Sequence, residues 1–288
     1  MKALPNYNSD ILPTFSNLTV DNNNRVVAFN VFYAGGNGGV WSYGLWPHCA
    51  GLSQDQELSP GGKKVMVYEI TNIGDSLGIG TFCHENGHML CDYPDLYDLT
   101  ARSLGVGDYC LMANGGGGDF GRNPSQVCAY LKRASGWATT TDLNTTSVGI
   151  ALVSASVGAS FNHFYRYQKP GVPTEYFLAE CRYQAGHDAN LPGSGVLIWH
   201  IDELGDNSKV NLDPNTTHTN YEATVVQADN LWHLERNQNT GDANDLYYSG
   251  NTAAGYRNCF NDSSAPVAYW WAGTPSGVRF SAFSAPSN

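Results

Sequence analysis

The chain has 288 residues, and its 15 Lys and Arg against 26 Asp and Glu give a formal net charge of −11. That balance excludes nonspecific nucleic-acid binding, which needs clustered basic side chains, and docking on anionic membranes. A hydrophobic content of 42% supports a core and excludes a disordered chain, and no apolar run reaches the roughly 18 residues of a membrane span.

Taken in chain order, the start Met1-Lys2-Ala3-Leu4-Pro5-Asn6 lacks the apolar stretch of a signal peptide, so a secreted form is expected to be mature or trimmed. Arg25–Ala34 (RVVAFNVFYA) is rich in Val and Phe and reads as a buried strand, entered from the Asp21–Asn24 turn and ended by Gly35–Gly39. Lys64–Ile70 (KVMVYEI) is a second strand, and Leu77 to about Cys91 is a helical segment with apolar Ile79, Phe82, Met89 and Leu90. A second helix is expected between Asn123 as N-cap, with Pro124 in its first turn, and Gly136 at its C-terminal end. Within it Val127, Tyr130, Leu131 and Ala134 fall at i, i+3, i+4 and i+7, a core-facing stripe. Beyond residue 140 the texture changes to strands, Glu175–Tyr183, Gly195–Asp202 and Tyr221–Asp229, separated by Gly, Pro and Asn loops. The expectation is an α/β subdomain over 1–140 and a β-rich subdomain over 141–288, together one domain.

His84-Glu85-Asn86-Gly87-His88 forms an HExxH motif. On a helix, residues four apart share a face, so His84 and His88 can both aim a ring nitrogen at one zinc ion. Glu85, beside the first ligand, is placed to take a proton from a metal-bound water that attacks a carbonyl. The bland alternative is a pair of helix histidines satisfied by hydrogen bonds. Seven cysteines without a CxxC pair exclude a Cys-rich zinc module, and their odd number leaves at least one thiol unpaired within the chain.

The flanks of the motif carry a resemblance. HENGHMLCDYPDLYD, His84 to Asp98, is similar to the HEFGHxLGxPDxYD segment of the immune inhibitor A family of secreted metallopeptidases. Further similar stretches are Trp46–His48, a Met-turn-like Tyr109-Cys110-Leu111-Met112, Glu175–Glu180, Leu191–Asp202, Gly241–Leu246 and Gly273–Gly277. The resemblance implies an α/β (α+β), metzincin-like catalytic domain and a monomeric, extracellular zinc endopeptidase. It further implies a zinc held by His84, His88 and Asp95, Glu85 as general base, and protein or peptide substrates. Two departures stand out: Cys91 and Asp92 occupy the place of the family's Gly, and one extra residue precedes the Pro-Asp step. Asp98, Glu175 or Glu180 are therefore alternative third ligands, and Cys91, at i+7 from His84, is either a thiolate ligand or a buried small hydrophobe.

For the oxyanion, His200, Tyr93 and Tyr97 are candidates, with His48 equally ambiguous; a satisfied core histidine is the plain reading of His200. Asp202, Asp206, Asp229, Asp242 and Asp245 on Gly- and Asn-rich loops offer hard oxygen donors that suit structural calcium, with solvated carboxylates as the alternative. Two rival functions stay in view: an inactive or structural zinc protein, motivated by Cys91 and the missing Gly, and a calcium-dependent glycan-binding β module, motivated by the 12% aromatic content.

Overall fold

The computed structural model describes residues 17–35, 45–58, 62–73, 78–154, 162–208 and 221–287. The expected readings of the N-terminal six residues, of Gly36–Gly39 and of a helix start at Leu77 lie outside them. The chain divides into two compact units, Met1–Tyr93 and Pro94–Asn288.

In the first unit, β1 (Asn30–Ala34), β2 (His48–Glu57) and β3 (Lys64–Ile73) form a three-stranded sheet in the order β1-β3-β2. Strand β3 is central, parallel to β1 and antiparallel to β2, with a register irregularity between Gly51 and Gln56. Helix α1 (Gly80–Cys91) packs on β3 and β2, and its Phe82 ring stacks on Phe32 of β1 at 5.5 Å. At 12 residues α1 is too short to persist alone in water, so the sheet stabilises it.

The second unit is built on a five-stranded sheet in the order β4-β5-β6-β7-β8: β4 (Thr139–Asp142), β5 (His163–Gln168), β6 (Glu175–Arg182), β7 (Gly195–Asp202) and β8 (Ala223–Val225). Strand β6 (EYFLAECR) has one residue of eight that is not fully buried, as a central strand covered on both faces requires. On one side Phe177 and Ile198 join Val226, Tyr247, Phe260 and Trp270 in a core supplied largely by the loops after β8. The hairpin pair β9 (Cys259–Asn261) and β10 (Arg279–Ser281) belongs to the same region. Helix α2 (Ala129–Ala134) packs on β6.

The α/β, metzincin-like architecture is overturned. Among the described residues there are ten strands in three sheets and two α-helices of 12 and 6 residues, so the chain is mainly β. The expected helix from Asn123 to Gly136 fails over its first half for a definite reason. The backbone there is bonded to other segments: Ser125 N–H to Gly115 O, Leu111 N–H to Gln126 O, and Gln126 N–H to an Asp188 carboxylate oxygen. A chain in those bonds is not free to form helical i→i−4 bonds, and the helix starts only at Ala129.

Candidate metal centre

The centre lies on one continuous segment, His84 to Asp95. Helix α1 ends at Cys91, and Asp92 takes the left-handed conformation (φ 54°, ψ 34°) that the Gly would supply in the HEFGHxLGxPDxYD pattern. Asp is among the few non-Gly residues that adopt it routinely. The reversal lets Tyr93 donate its N–H to Gly87 O (3.2 Å) and brings the Tyr93 carbonyl to His88, whose Nδ1 lies 2.6 Å away. A carbonyl can only accept, so Nδ1 of His88 carries a proton, which leaves Nε2 as the ring nitrogen able to ligate a metal.

That Nε2 stands 3.1 Å from Nε2 of His84, the two rings near-perpendicular at 83°. Two imidazole nitrogens on a tetrahedral zinc are about 3.3 Å apart, so the pair fits a shared ion. A carboxylate oxygen of Asp95 completes the group, with all three ligand atoms within 4.8 Å of one another. The residue after Asp95 is pinned: Leu96 N–H donates to Met112 O (2.8 Å), and Leu96 O accepts from Val106 N–H (3.0 Å). The Met-turn-like stretch thus anchors the strand of chain that carries Asp95, and Met112 itself is buried.

The alternative ligands are engaged elsewhere. Asp98 accepts from the N–H and Oγ1 of Thr100 (2.8 and 2.7 Å) and from Arg102 (3.3 Å). Glu180 accepts from the Trp199 indole (2.9 Å) and pairs with Lys132 and Arg182. Glu175 takes hydrogen bonds from His200 Nε2 (3.2 Å), Trp271 N–H (2.7 Å) and Lys169. Although burial works against the charge, these donors hold the Glu175 carboxyl down at about 2. His200 is a satisfied core residue, stacked on Trp271 at 4.1 Å and kept neutral by burial. His48 is also satisfied, between Trp46 O and Tyr68 Oη. Cys91 is half-buried and does not join the His84–His88–Asp95 group. The Tyr93 side chain is buried, and Tyr97 is half-buried two residues beyond Asp95.

One residue escaped the sequence reading. Glu69, in the middle of β3, is fully buried, and neither carboxylate oxygen has a hydrogen-bond partner among the described residues. Burial first, and the charge of Glu85 second, push its carboxyl up to about 7. Opposite it on β2, burial and then Glu85 and Glu69 raise the Cys49 thiol to about 11. The signal was a lone Glu inside the apolar run KVMVYEI. Among the acidic loops, Asp202 and Asp206 each accept from a backbone N–H two residues on (3.1 and 2.8 Å), whereas Asp229 and Asp242 converge with His233. No protein-family model and no curated protein matches the chain.

Proposed function

We propose that the protein is an extracellular zinc-dependent endopeptidase. The observation that carries this is the convergence of the His84, His88 and Asp95 ligand atoms, a two-imidazole, one-carboxylate set that leaves a position open to water; Glu85 enters the reading as the residue after His84 in the motif. The reading rests on this local geometry and not on a fold class. His84, His88 and Asp95 would hold the ion. Zinc, when bound, supplies a more acidic water and a positive charge for a developing oxyanion. Glu85 accepts a proton from the attacking water and hands it to the departing amine. The backbone carbonyl of Tyr93 keeps His88 in the ligating tautomer throughout.

The test is hydrolysis of casein by the zinc-loaded protein. Glu85→Gln is expected to lower kcat on the order of 10²–10⁴-fold with zinc content unchanged, while Asp95→Ala and His84→Ala lose zinc and activity together. Equal rates for wild type and Glu85→Gln would sink the reading. Full zinc retention in Asp95→Ala would remove Asp95 from the ligand set.

A further inference from the structure

We propose that Asp229, His233 and Asp242 form a second metal site, for a divalent transition metal of zinc's class, on the loops that follow β8. One ligand atom from each residue lies within 4.8 Å of the others, and His233 Nδ1 is 3.5 Å from Asp242 Oδ2. Each carboxylate is oriented by its other oxygen: Oδ1 of Asp229 accepts from Leu231 N–H (2.9 Å), and Oδ1 of Asp242 accepts from Asn244 N–H (2.8 Å).

The independent observation is the unanswered acceptor. Asp229 is 7% exposed, and its Oδ2 has no hydrogen-bond partner. A buried carboxylate oxygen is almost always satisfied, and a cation is the missing partner that would answer Asp229 Oδ2. The amide of Asn239 already places a partial positive charge there, its Nδ2 lying 3.0 Å from Asp242 Oδ2 and 3.2 Å from His233 Nδ1. An incoming ion takes over both atoms as that amide swings aside. The side chains of His233 and Asp242 are 26% and 34% exposed, which gives an ion a way in.

The donor set decides the class of metal. Calcium takes six to eight oxygens, and an imidazole nitrogen at the centre of the site does not suit it. Two carboxylates with one imidazole suit zinc and its first-row neighbours. The ion would tie the turn at 229–233 to the loop at 239–245. That loop is bonded in turn to the chain ahead of Met112: Tyr109 Oη lies 2.7 Å from Asp242 O and 2.9 Å from Asp245 Oδ2, its one proton shared between these acceptors, and Thr240 Oγ1 donates to Asp108 (2.7 Å). Gly107, at φ 56°, permits the approach, since a Cβ there would stand 2.2 Å from Thr240 O.

The experiment uses the full chain carrying His84→Ala and His88→Ala, so that zinc at the motif does not contribute. After chelator dialysis and reloading, this variant is expected to hold one zinc per chain by elemental analysis. Zinc should raise its Tm, millimolar calcium should not, and cobalt in place of zinc should give a visible absorption band. Adding His233→Ala, or the near-isosteric Asp229→Asn should His233→Ala fold poorly, is expected to abolish the bound zinc, the Tm rise and the band. The proposal is overturned if the double variant binds no zinc, if zinc persists after the further substitution, or if calcium stabilises as much as zinc. Peptidase failure of the wild type leaves these readouts untouched, so the two readings fail separately.

Discussion

Glu69 and Glu175 make an instructive pair. Both are buried glutamates on sheet strands, Glu69 at the middle of β3 and Glu175 at the start of β6. Glu175 meets three donors and is held as an anion at about 2; Glu69 meets none and is pushed up to about 7. Burial alone therefore does not decide whether a carboxyl is charged; the donors folded around it do. In the second unit Glu175 and Asp188 sit in satisfied pairs while Asp229 Oδ2 and Asp245 Oδ1 go unanswered, as both oxygens of Glu69 do in the first.

The largest test of that contrast is Arg182, which is buried, bidentate on Asp188 (2.8 and 2.6 Å) and bonded to Tyr109 O (2.8 Å). Arg182→Ala strands two buried carboxylates and is expected to cost about 3–5 kcal/mol in urea unfolding. Next come the glutamates, with opposite signs. The folded Glu69 carboxyl titrates above its ordinary 4.5, so the folded state holds the extra proton. Its share of stability should fall as pH rises from about 4.5 through 7, by on the order of 3 kcal/mol, and Glu69→Gln should remove that share, leaving the part due to Glu235 and Asp245, which burial pushes up to about 7 and about 8. A Glu69→Gln profile that superposes on the wild type's from pH 5 to 8 would mean that Glu69 has a partner after all. For Glu175 the folded value lies below 4.5. Its stabilisation is present above pH 4.5 and is lost as pH falls towards about 2, again on the order of 3 kcal/mol, and it should vanish in Glu175→Gln. The smallest effect belongs to Arg166 and Asp142, a two-pronged pair at 2.6 and 2.9 Å whose Asp side chain is 43% exposed. Arg166→Ala should cost under about 1 kcal/mol; a loss comparable to that of Arg182→Ala would break the argument from burial.

Strong local signals were legible in the sequence. Strand β7 spans Gly195–Asp202 as read, and the HExxH segment is helical to Cys91, with Asp92 taking the left-handed turn. What failed depended on distant partners. Asn123–Cys128 has a helical pattern, yet its backbone is claimed by Gly115, Leu111 and Asp188. Strand β2, HCAGLSQDQE, has too little apolar alternation to read as a strand and is held by pairing with β3. At the motif, spacing alone placed two histidines on one face. At the second cluster Asp229 and Asp242 drew attention as acids, but His233 did not, because its approach to Asp242 is made by loop geometry that no periodicity records.

The bond from His88 to the Tyr93 carbonyl has a consequence for how this site tolerates change. The group that orients the ligand belongs to the main chain, so replacing the Tyr93 side chain leaves it in place. What sets the ring's orientation is the path of the chain through Asp92 and the direction of the peptide at residue 93, so a scan would reach this device through Asp92→Ala, which strains the left-handed turn.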